Sequence, residues 1–233
     1  MSKSAPLSTL FAIASFALMG VGVIGCALWL LRQQTPISSY LIVDVSESMR
    51  DSGQLEDLSH QICIGIQEQT ISGDSFTVMP FANTSAVTHA VEIQNRLDVL
   101  GLCKGETLTA LLEAESVAAE EGTSLHDTLA HLQQHVSIGG QDEQGRVISI
   151  LIHANDQGVG AHDAIAIAET AQLAESLLTE GTVLVLFAVE SDLQRDLQSA
   201  LQHPHVRVSA LSPESIETSL VWAFSTARNT QGE

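Results

Sequence analysis

The sequence predicts an α/β domain on a doubly wound, mostly parallel sheet with one antiparallel edge hairpin strand, preceded by one N-terminal transmembrane helix. Three observations carry this reading. Mostly apolar runs, YLIV at 40–43, VISILI at 147–152 and TVLVLFAV at 182–189, fit strands buried on both faces. Stretches with apolar residues three and four positions apart lie between them, as crossover helices do. Ahead of all of these, residues 7–31 carry no charge.

That first stretch, LSTLFAIASFALMGVGVIGCALWLL, is long enough as a helix to cross a hydrocarbon layer of about 30 Å at about 1.5 Å per residue. Lys3 and Arg32 bracket it and Trp29 suits a membrane interface. A cleaved secretory signal has a shorter apolar core. Val23 to Cys26 resembles a bacterial lipoprotein box with Cys26 as the lipidated residue, yet the apolar run continues to Leu31. The expected organisation is a tail at 1–6, a retained span at 7–31, a linker at 32–38, a domain at 39–228 and a tail at 229–233. Lys3 with the amino terminus nearly balances Arg32 and Arg50 across the span. The domain is expected on the non-cytoplasmic side, because long downstream domains cross largely regardless of charge.

Composition narrows the partners. The 233 residues suit one such domain with a short appendage, and 45% hydrophobic residues are too many for a disordered chain. All 28 acidic residues lie at or after Asp44, and only seven of the nine basic ones follow residue 32. Such a surface repels phosphate backbones, which excludes nucleic acid, and attracts divalent cations. Cys26, Cys63 and Cys103 form no metal-ligand spacing. Cys63 and Cys103 are read as two buried free thiols, with pairing in an oxidising compartment as the alternative.

Along the domain, Leu55, Leu58, Ile62 and Ile66 predict a helix over 54–69. Strands at 75–82 and 85–93 flank Asn83-Thr84 as a hairpin, and Pro80 puts its strand at an edge or bulge. Helices are expected at 107–121 and 127–136, then a strand at 147–153 and an Ala-rich helix over 162–178. A strand at 182–189, a helix at 191–202 and a short strand at 206–211 follow. Ser212-Pro213 opens a final helix with a capping residue and Pro at the first position, with Ile216, Leu220 and Phe224 as its buried stripe.

In such sheets ligands sit beyond the carboxyl ends of the strands. Immediately after the first buried strand stands Asp44-Val45-Ser46-Glu47-Ser48. One carboxylate and two hydroxyls, two and four positions on, can converge where strand opens into loop. Hard oxygens with a single charge suit Mg²⁺, Mn²⁺ or weakly held Ca²⁺. The ion is left undersatisfied, so an acidic side chain of a protein partner can complete its shell. The plain alternative is a helix cap rich in Asp and Ser.

Here the chain resembles a known family. YLIVDVSESM at 40–49 is similar to the opening of a von Willebrand factor A (vWA) domain, whose metal-ion-dependent adhesion site begins D-x-S-x-S, and the likeness extends over about 39–226. The family's second element is a threonine in a G-T-x-[IL]-x-x-[AT]-L loop. Gly122 to Leu129 (GTSLHDTL) resembles it, which gives Thr123 the threonine role over Thr107. The third element, an Asp in a context like L-T-D-G, is missing. Ala154 stands at its position, and Asp156 is a nearby substitute. The resemblance implies a domain for divalent-cation-assisted protein binding, not an enzyme, and residues 7–31 would anchor it to a membrane. It also implies that binding couples to movement of the last helix, 212–228.

Other chemistries fit less well. A phosphatase-like hydrolase using Asp44 needs a second Asp two positions on, where Ser46 stands, and no phosphate-cradling glycine loop follows any strand. Ser46 is not on a glycine-flanked elbow. His131 and His135 share a helix face without a third ligand and read as a solvated surface. A metal-independent membrane scaffold with a vestigial site is the alternative to cation-assisted binding.

Overall fold

A computed structural model of the chain describes residues 36–45, 53, 55–81, 89–104, 108–109, 112, 125–138, 145–152, 164–178, 182–188 and 191–229. Six strands form one sheet: β1 (Ile37–Asp44), β2 (Ser75–Phe81), β3 (His89–Glu92), β4 (Gly145–Ile152), β5 (Thr182–Ala188) and β6 (Val206–Ala210). Their order is β3-β2-β1-β4-β5-β6. β2, β1, β4, β5 and β6 run parallel, while β3 lies antiparallel to β2 with Ser75 opposite Glu92. The longer helices are α1 (Leu55–Gln69), α2 (Arg96–Cys103), α3 (Leu125–Ile138), α4 (Ala164–Leu178), α5 (Ser191–Ala200) and α6 (Pro213–Asn229).

Alternation along the strands sends side chains to two apolar layers. Leu41, Val43, Val147, Leu151 and Phe187 join α1, α2 and α6 in one. Ile42, Ile148, Ile150 and Leu186 join α3, α4 and α5 in the other. Each such side chain contributes about 1.5–3 kcal/mol by leaving water. All eight residues of β4 are buried, Arg146 and Ser149 included, as a central strand covered on both faces requires.

Several details depart from the sequence reading. β1 begins at Ile37, inside the stretch read as a linker, because Ile37 is buried and the neighbouring hydroxyls are satisfied. Ser39 Oγ donates to the Ser75 carbonyl at 2.9 Å, and Ser75 Oγ donates to Ser38 Oγ at 3.0 Å. Among the described residues β2 pairs with β3 over Ser75 to Val78, and Pro80 lies past these pairs, opposite Val43 of β1.

Helix α2 was not expected from apolar periodicity, and a local capping box starts it. Asn95 Oδ1 accepts from the Leu97 N–H at 2.9 Å, and Asp98 Oδ2 accepts from the Asn95 N–H at 2.9 Å. The free-thiol reading of the cysteines is corrected: Cys63 on α1 and Cys103 at the end of α2 form a disulfide, with Cα atoms 5.5 Å apart. The two helices pack in the same apolar layer, a relationship that a separation of 40 residues hides. Among the described residues no helix is long and apolar enough to cross a membrane. The apolar stretch 7–31 lies outside the described residues.

Candidate functional site

From β1 the chain passes to β2 and β3 on one side, then crosses to β4, β5 and β6 on the other. The connections therefore diverge between β1 and β4, which makes the carboxyl ends of these two strands the switch point where open α/β sheets bind ligands. Asp44 is the last residue of β1 and stands opposite Phe81 of β2. On the β4 side the register closes with Val43 opposite Leu151, one residue before β4 ends at Ile152.

Asp44 is only 1% exposed, and Val45 after it is buried as well. By alternation Asp44 lies on the Ile42 face of the sheet. Ile42 shares its apolar cluster with Leu125 and Leu129 of α3, so the amino end of α3 belongs to the layer on that face. A carboxyl group with so little water around it requires polar or charged partners for its oxygens.

Of the residues the sequence assigns to the site, Asp44 is among the described residues, as the last residue of β1. Ser46, Ser48, Thr123, Ala154 and Asp156 lie outside the described residues. Thr123 precedes Leu125, the first residue of α3, by two positions, and Ala154 follows the end of β4 by two. Among the described residues no group of three or more His, Cys, Asp or Glu is arranged to hold a metal ion. The ligand set read from the sequence relies instead on one carboxylate and hydroxyls. A depression of about 340 Å³ lined by Glu175, Leu178, Gln202 and His203 lies where the chain enters β6, at the opposite end of the strands from Asp44.

Solved structures supply an independent comparison. The chain is similar to a von Willebrand factor type A protein from Catenulispora acidiphila, with a TM-score of 0.52 and 13% identity, over 83% of this chain and 43% of that one. The domain has a vWA fold. It is also similar to the pilus adhesin SpaC from Lactobacillus rhamnosus GG in an open conformation, with a TM-score of 0.51 and 12% identity, over 84% of this chain and 30% of the adhesin. A third likeness is to the PilB minor pilin from Streptococcus sanguinis, at a TM-score of 0.50 and 13% identity, over 85% of this chain and 62% of the pilin. The vWA-fold chain thus spans less than two thirds of each of these proteins. No protein-family model and no curated protein matches it in sequence.

The vWA fold accounts for the position of Asp44. A first strand that is central and parallel on both sides ends in a crevice, whereas an edge strand would end in open solvent. The disulfide was open to sequence reasoning only as the alternative to free thiols. The pairing of the buried Asp74 with Arg228, 154 residues apart, lay beyond it.

Proposed function

We propose that this chain is a membrane-anchored binding module, not an enzyme, whose strand-end site takes a protein partner with the help of a divalent cation. Asp44, Ser46 and Ser48 are the primary ligands, and Mg²⁺ is the leading ion, with Mn²⁺ and Ca²⁺ as alternatives. Thr123 is a further oxygen donor, and Asp156 substitutes for the aspartate that Ala154 replaces. The partner supplies a carboxylate to the open side of the ion.

The observation that carries this reading is the burial of Asp44 at the carboxyl end of a central strand, directly ahead of Ser46 and Ser48. With a single carboxylate the bound cation keeps a net positive charge, and an acidic side chain from outside neutralises it. Likeness in fold to a pilus adhesin and a minor pilin fits a role in protein–protein binding. Residues 7–31 provide the anchor. The chain enters the sheet at the amino end of β1, and Asp44 lies at the other end, roughly 23 Å along a strand at about 3.3 Å per residue.

Capture from a membrane extract on the immobilised full chain tests the reading. Partner retention in Mg²⁺ that is lost with EDTA and in Asp44→Ala is the expected result. Retention indifferent to both would favour the cation-independent scaffold.

A further inference from the structure

We propose that the domain matures on the oxidising side of a membrane, where Cys63 and Cys103 are joined, while residues 1–6 stay on the cytoplasmic side. The bond links α1 to α2, and both cysteines are fully buried in the apolar layer with Ile62, Ile66, Val99 and Leu102. Thiol exchange proceeds by direct attack on a sulfur, so a bond enclosed in the core is out of reach of small reductants unless α2 opens. That makes it a structural bond and not a switch.

Helix α2 needs such a tie. It has eight residues, a glycine in its interior, and Leu97 on its first turn 70% exposed. Helices this short have little stability of their own. Stable structural disulfides belong to compartments outside the reducing cytoplasm. The charges around residues 7–31 left orientation close to a tie, and the disulfide breaks it. In the joining step the Cys63 and Cys103 thiols lose two protons and two electrons. They pass through a mixed disulfide with a dithiol–disulfide oxidoreductase, which leaves as its dithiol form.

The orientation rests on the tether of the preceding section, and the experiment separates the two. Cells expressing the full chain are quenched in acid, and the denatured chain is alkylated with a polyethylene-glycol maleimide, with and without prior reduction. The proposal expects reduction to add two mass increments, whatever the state of Cys26. Equal labelling before and after reduction overturns it. In sealed vesicles of known orientation, protease is expected to reach the domain only from the non-cytoplasmic side, and digestion from the cytoplasmic side overturns the proposal as well. Alkaline carbonate extraction reads the tether alone. Release of an oxidised chain removes the tether and leaves oxidative maturation supported.

Discussion

Arg228 Nη2 donates to Asp74 Oδ2 at 2.8 Å, which fastens the last turn of α6 to the turn that precedes β2. Asp74 is fully buried and also accepts from the Ile37 N–H at 2.8 Å and the Ile71 N–H at 2.9 Å. Arg228 donates further to the Gln69 carbonyl at the end of α1. One carboxylate thus holds the first residue of β1, the α1–β2 turn and the C-terminal helix together, at the sheet end remote from Asp44.

Removing that carboxylate leaves the buried Ile37 N–H and the partly buried Ile71 N–H without their acceptor, and leaves the Arg228 guanidinium, still bonded to the Gln69 carbonyl, without its counter-charge. Asp74→Ala is expected to lower the unfolding free energy of the full chain by about 3–5 kcal/mol. Urea unfolding followed by circular dichroism measures this. A loss below about 1 kcal/mol, the range of an exposed ion pair, would contradict the assignment of a buried clasp.

Gly65 sets how closely α1 approaches α6. A methyl group there would lie 2.5 Å from Leu220 Cδ1 and 3.7 Å from Ile216 Cγ2. Leu220 is fully buried and has little room to turn away. Gly65→Ala gains up to about 1 kcal/mol of helix propensity but loses about 1–3 kcal/mol to overpacking, so net destabilisation is expected. In a Leu220→Ala background the overpacking vanishes and the same substitution becomes stabilising. A double-mutant cycle by thermal unfolding reads the change of sign.

The Cys63–Cys103 bond closes a loop of 40 residues. Chain-entropy estimates put its contribution at about 4 kcal/mol, and native disulfides of this kind typically contribute about 2–5 kcal/mol. Paired Cys63→Ala and Cys103→Ala substitutions should lower the midpoint of thermal unfolding accordingly. An unchanged midpoint would mean that the bond does not constrain the unfolded chain.

The strands were legible because burial on both faces leaves an unmistakable apolar run, as in Val147 to Ile152. The start of α6 was legible for a local reason too: Ser212 Oγ accepts from the Ser215 N–H at 3.2 Å, and Ile216, Leu220 and Phe224 are buried as their spacing predicted. Helix α2 is hard to read because its buried stripe, Val99, Leu102 and Cys103, is short and blurred by the exposed Leu97, which leaves the cap, Asn95 with Asp98, as its clearer signal. The disulfide could be read only as an alternative, and the Asp74–Arg228 pair not at all, for another reason. Each depends on which elements become neighbours, and no local pattern encodes that. Asp44 combined both kinds of information, since its motif is local and its burial follows from β1 being central.

Isothermal titration of the full chain with Mg²⁺ and Mn²⁺, wild type beside Asp44→Asn, tests the strand-end cation site most directly. The wild type should give a saturable heat for a single site, absent from the folded variant. No saturable heat in the wild type, or the same heat in both proteins, would contradict a cation held by Asp44.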